Sequence, residues 1–172
     1  MPTTPTTPAL ETCLDCKLQL PFVDTPTHTY LGASSSCWAL YNQVLAREYS
    51  TPALMLSVHR LTVDAYAAQH PGQPERRTIQ SIWVHLTALY LTIERGLAND
   101  YATRVIGVLT TNPTHLEWLP PPPTLGPLTV IEVANADTTT AHEAAVRRWA
   151  ASVWQAWSPY HQPIAAKVSA LI

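Results

Sequence analysis

Residues 78–94, TIQSIWVHLTALYLTIE, place Ile79, Ile82, Trp83, Leu86, Leu89, Tyr90 and Ile93 at separations of three and four. That spacing puts seven large apolar side chains on one face of a helix and leaves Gln80, Ser81 and Thr87 around its edges. Gly96 follows where a helix needs a residue free to turn back. A strand pattern would alternate with period two, and none does over this stretch.

The same period recurs on both sides. Serines at 34–36 are good N-caps for a helix carrying Cys37, Leu40, Tyr41, Val44 and Leu45 inward. A second helix starts near Ser50 or Thr51, with Pro52 in its first turn, and runs through MLSVHRLTVDAYAAQH to the stop at Pro71-Gly72. A fourth, Tyr101 to Leu109, is closed by Asn112-Pro113. LEWLPPPPTLGPL has four consecutive prolines and therefore reads as a rigid irregular strap, anchored by Trp118. Thr129 with Glu132 makes a capping box for a short helix, with a brief strand over VIEV as the alternative. Thr140 with Glu143 makes a second, ahead of a helix that buries Trp149, Trp154 and Trp157 and ends at Pro159. A last helix spans Gln162 to Leu171. The expected architecture is an all-α, irregular or orthogonal bundle of about six to seven helices with an N-terminal cysteine-containing loop. Residues 1–12, rich in Pro and Thr, read as a disordered arm, and 13–172 as one helical domain.

Bulk composition narrows the function. At 172 residues, 47% of them hydrophobic, the chain can bury a sizeable core. Ten basic and twelve acidic residues, without a basic cluster, do not suit nucleic acid. The N-terminus lacks a secretory signal and no apolar run reaches the roughly 18 residues of a membrane span, so a cytoplasmic protein that does not engage membranes is expected. Three cysteines cannot all pair, which favours reduced thiols or thiolates on a metal.

Cys13-Leu14-Asp15-Cys16 is the most specific chemical feature. Two thiolates two residues apart lie on one side of a tight turn and can share one tetrahedral ion, usually zinc, which then requires two further ligands. Cys37 is the natural third, at a helix N-terminus that favours a thiolate, although it suits a small buried hydrophobe equally well. His70, last in its helix, is the selected fourth, with helix-end hydrogen bonding as the alternative. An unbroken helix would hold His59 and His70 about 16 Å apart, so only one can join the cysteines. His59, Asp64, Tyr66 and His85 are candidates for a pocket between the second and third helices, where they would supply acid, base or open-site metal ligands. Asp64 is also explained as the surface partner of Arg60, four residues earlier. His28, His115, His142 and His161 carry no assigned role.

HRLTVDAYAAQHPG, with CWALYNQVLAREYS before it and WAASVWQAW near the end, resembles a bacterial family designated only as domain of unknown function 5946. The resemblance extends over most of the chain from Cys13 onward. It implies that Cys13, Cys16, Cys37, His59, Asp64, Tyr66, Gln69, His70 and His85 belong to the family's polar pattern, and it carries no activity. Three roles follow: a small cytosolic helical protein with a structural zinc-type site and a binding or regulatory role toward a protein or small molecule; a metal-dependent enzyme using the His/Asp pocket; or a thiol redox sensor built on Cys13 and Cys16.

Overall fold

The computed structural model describes residues 9–111 and 116–171. Helices dominate: α1 Ser35–Ser50, α2 Pro52–Ser57, α3 His59–Gln69, α4 Arg76–Leu89, α5 Asn99–Thr111, α6 Val130–Ala134, α7 Thr139–Ala156 and α8 His161–Ser169. The chain is mostly α, as the periodicity predicts, with a bundle in which α3 packs against α4, α7 and α1. α3 is central because its small residues Ala65 and Ala68, both fully buried, let neighbours approach closely.

The expected continuous helix from 50 to 70 is two. Val58 adopts φ −135° and ψ −12°, and α3 starts afresh at His59. Leu54 and Val58 are both buried, so their spacing imitates a single helix. The break lets His59 turn back onto α1. α4 stops as an α-helix at Leu89 and continues as one π-helical stretch, Tyr90–Glu94, ending at Gly96 with φ +61°. α7 is capped by Thr138, whose side chain accepts from the Ala141 N–H, and not by Thr140. Glu143 is therefore free to accept a hydrogen bond from the Ser57 hydroxyl at 2.7 Å. The Thr129–Glu132 capping box forms as expected. Asn112, Pro113 and His115 lie outside the described residues.

The N-terminal loop is more ordered in form than its composition predicts. β1 Leu10–Thr12 pairs antiparallel with β2 Gln19–Pro21, in the register Leu10 to Pro21, Glu11 to Leu20 and Thr12 to Gln19. Residues 10–12, which composition assigns to the arm, are thus a strand. Three-residue strands are too short for alternation to be read.

Trp149 and Trp157 are fully buried and Trp154 nearly so, the core role their spacing predicts. Their indole N–H groups all find acceptors: Gln69 Oε1 for Trp149, the Ala68 carbonyl for Trp157 and Glu94 for Trp154. The proline strap is held by Leu119 and Leu125, both buried, while Trp118 is only half-buried. Gln69 Nε2 donates to the strap carbonyls of Leu125 and Leu128 at 2.9 and 2.7 Å. A side chain that reads two carbonyls fixes the strap without needing regular structure in it.

Candidate metal centre

The ribbon connection carries the two N-terminal cysteines. The Cys13 N–H donates to the Leu18 carbonyl at 2.8 Å, which closes the turn. Lys17, immediately after Cys16, has φ +64°, the left-handed conformation that glycine adopts most easily. The Lys17 ammonium donates to the Leu14 carbonyl across the turn. Two contacts then clamp the turn to the body: the Asp15 N–H donates to the Gly32 carbonyl, and Asp15 Oδ2 accepts from the Gly72 N–H at 2.9 Å. Burial raises the Asp15 carboxyl above its ordinary value, against the lowering effect of the Gly72 N–H.

Glu11, on β1, makes a further anchor. Its carboxylate accepts from the Ser36 N–H at 3.0 Å and from the Ser35 hydroxyl at 3.2 Å, at the N-terminus of α1. The backbone hydrogen bond from Ser36 holds Glu11 below the usual carboxylate range. Ser34 caps the same helix by accepting from the Cys37 N–H. Cys37 is thereby fixed in the first turn of α1, facing inward.

His70 ends α3 with φ −129° and ψ 62°. Its Nδ1 lies 2.8 Å from the Tyr66 carbonyl. A carbonyl only accepts, so Nδ1 carries a proton toward Tyr66, and Nε2 is the ring nitrogen left for the cysteines. Nε2 lies 3.5 Å from Cys37 Sγ. Tyr66 stacks between Tyr41, 3.7 Å away, and His70, 4.1 Å away, and its hydroxyl donates to Cys37 Sγ at 3.6 Å.

Cys13, Cys16, Cys37 and His70 therefore converge: one ligand atom from each lies within 4.8 Å of all the others. Cys13, Cys37 and His70 are fully buried, and Cys16 is half-buried beside a cavity of about 350 Å³ between the turn and the strap. The spacing suits a tetrahedral ion. With zinc–sulfur distances of about 2.3 Å and zinc–nitrogen of about 2.0–2.1 Å, the edges of the tetrahedron measure about 3.8 Å between sulfurs and about 3.6 Å from sulfur to nitrogen. Cys16 Sγ to Cys37 Sγ is 3.8 Å. All three thiols are free of disulfides.

Electrostatics leads to the same donor set. Hydrogen bonds from Cys16 and Cys37 hold the Cys13 thiol far below its ordinary value, and hydrogen bonding to Cys13 and Cys16 pushes Cys37 far above. Burial pulls His70 down, but the hydrogen bonds and charges of Cys13 and Cys16 outweigh it and raise His70 to about 10. Three thiols packed this closely, two of them buried, cannot all ionise together without a cation among them.

Of the pocket candidates, Asp64 and His85 come together, while His59 and Tyr66 go to other partners. Tyr66 belongs to the cysteine cluster. His59 Nδ1 pairs with Glu48 Oε2 at 2.8 Å. His85 Nδ1 pairs with Asp64 Oδ1 at 2.7 Å. Asp64 does meet Arg60, at 2.8 Å, but the expected surface pair is corrected: the carboxylate is fully buried and shared with His85.

Sequence reasoning overlooks Glu48 and His142. Both are fully buried. Glu48 Oε1 accepts from the Thr62 hydroxyl at 2.6 Å and pairs with His142 Nε2 at 2.9 Å, while Oε2 faces His59. The signal was available: 37, 41, 44 and 48 share one face of α1, and 142, 146, 149 and 153 share one face of α7. A charged or polar residue on an apolar stripe marks a partner across the core.

The fold and this cluster define a helical protein with a buried three-cysteine, one-histidine donor set able to hold a metal ion. Among the described residues no helix is long and apolar enough to cross a membrane. Residues 11–158 match the family described as a family of unknown function (DUF5946), and the chain belongs to that family. No curated protein and no solved structure matches the chain.

Proposed function

We propose that Cys13, Cys16, Cys37 and His70 bind one zinc ion in a closed structural site, in a small cytosolic protein with a binding or regulatory role. The observation that carries this reading is the orientation of His70. Its Nδ1 is held on the Tyr66 carbonyl and its Nε2 is aimed at the thiols, the outer-shell arrangement of metal-bound histidines, in which the ion displaces any proton from Nε2. Four protein ligands leave no open position, which favours structural over catalytic use. The ion would tie the β1–β2 ribbon to α1 and α3, adding to the packing of the partly buried Leu18 and Leu20 on the core, while Leu10 and Leu14 are exposed.

Metal analysis and native mass spectrometry of the full chain, purified without chelating resin from zinc-replete medium, test this. One zinc per chain is expected, lost in Cys13→Ser and His70→Gln and retained in His59→Gln. A wild-type chain that is fully folded and metal-free overturns it.

A further inference from the structure

We propose that the outer face of α4, where Arg77, Gln80, Ser81 and His85 meet Tyr30, binds a small oxyanion, a phosphate or carboxylate group, and that Asp64 positions His85 for it. These residues, with Val84, line a cavity of about 350 Å³. That volume is near the lower end of the roughly 300–1,000 Å³ of ligand sites, so the occupant is small. Positions 77, 80–81 and 84–85 recur at helical spacing on the face of α4 away from Ile82, Trp83 and Leu86, which are buried.

The lining is one-sided in charge. It contains a guanidinium and an imidazole and no carboxylate. Arg77 makes no ion pair among the described residues. An arginine on a helix surface is unremarked by itself; the histidine beside it is what makes a site. The His85 side chain is only 18% exposed and is tied through Nδ1 to a carboxylate with no exposure at all. The second oxygen of that carboxylate is held by Arg60 Nε, and Arg60 in turn donates to Thr103. The carboxylate oxygen facing the ring accepts, so the proton of this contact sits on His85 Nδ1. The two ring nitrogens point to different sides, and Nε2 therefore faces away from Asp64, with no hydrogen-bond partner among the described residues.

The imidazole thus has its tautomer and orientation set in advance. Its ring borders a basic cavity. When the ring takes a second proton from solvent onto Nε2, it lies between the entering anion and the Asp64 carboxylate, opposite charge on both sides. Arg77 supplies forked donors that match two oxygens of a phosphate or carboxylate. The hydroxyls of Ser81 and Tyr30 and the Gln80 amide add neutral donors. This site uses none of the cysteine-cluster residues and stands independently of the metal.

Ring-nitrogen NMR of the full-length, 15N-labelled chain, titrated separately with inorganic phosphate and with acetate at constant ionic strength, tests the proposal. A saturable shift of the His85 resonances is expected, weakened at least about tenfold in Arg77→Ala, the loss of one charge-assisted hydrogen bond. Response to phosphate alone selects a phosphoryl ligand, and response to both admits carboxylates. Asp64→Asn is expected to scramble the His85 tautomer and weaken phosphate binding, and Asp64→Glu to restore the Nδ1–H form in part. Because Asp64 is buried, Arg77→Ala and Ser81→Ala serve as surface variants that keep the fold. No saturable shift at His85 with either anion, an unchanged response in Arg77→Ala, or equal shifts at His28, His59 and His161 overturns the assignment.

Discussion

Replacing Glu48 by alanine tests whether the buried carboxylate organises the core between α1, α3 and α7. In the native protein it accepts from Thr62 and His142 through one oxygen and from His59 through the other. Thr62 and His142 are fully buried, so neither finds water when the carboxylate is removed. The Thr62 hydroxyl keeps the Val58 carbonyl at 3.3 Å, so His142 is the donor left without an acceptor; an orphaned buried donor costs about 1–3 kcal/mol, and breaking a buried pair from one side costs about 3–5 kcal/mol in total. His59 contributes little to the loss, because its side chain is 16% exposed and recovers solvent. Glu48→Ala is therefore expected to cost about 3–5 kcal/mol out of the roughly 5–15 kcal/mol that holds a domain folded. Glu48→Gln should be much milder, no more than about 1.5 kcal/mol. Its carbonyl still serves Thr62 and His142, and its amide faces His59, which can shift its proton to Nε2 and accept. Urea unfolding followed by tryptophan fluorescence, with slopes compared to confirm two-state behaviour, measures both. An alanine variant within about 1 kcal/mol of the wild type, or of the glutamine variant, would refute the reasoning.

Two further outcomes follow from the ribbon and its clamp. Glu11 is held below its ordinary value in the folded state, so its contribution is present above pH 4.5 and is lost as pH falls through the lower folded value. Glu11→Gln should flatten the acid limb of the stability curve by about 0.5 kcal/mol, the scale of a carboxylate at a helix N-terminus, and an unchanged limb would exclude the contact. Gly72 has φ +68°, and a Cβ built there falls 2.3 Å from the Tyr30 carbonyl oxygen. Gly72→Ala should cost about 2–3 kcal/mol in urea unfolding and lower zinc retention, because the Gly72 N–H clamps Asp15 beside the cysteine pair. A neutral alanine would show that the clamp is dispensable.

Helical periodicity made most of the bundle legible because α1, α4 and α7 each bury a continuous stripe. It failed at Val58, where Leu54, Val58 and Thr62 are all buried at a spacing of four across the break, so the pattern reads as one helix. The cysteine pair was readable from spacing, and the choice of His70 from its place at a helix end. Cys37 could not be separated from an ordinary core residue until Tyr66, His70 and Cys16 were seen around it. His142 lies almost a hundred residues from Glu48, and no local pattern connects them. Long-range polar pairs are set by tertiary packing, which one sequence does not display. Asp64 illustrates the converse: Arg60 at i−4 offered a sufficient local explanation as a surface pair, while the pocket reading had already grouped Asp64 with its partner on α4, His85.

Gln69 and His70 stand back to back at the end of α3. One side chain grips the strap carbonyls and Trp149, and the next faces the cysteine turn. The strap and the ribbon, far apart along the chain, are consequently parts of one opening unit. Any fluctuation that unwinds the last turn of α3 releases both, so hydrogen exchange at Gly32, whose amide reaches the His70 carbonyl, reports on the strap as well as on the ribbon. A proline-rich segment with few amides of its own thereby becomes observable through a glycine on the opposite side of that peptide.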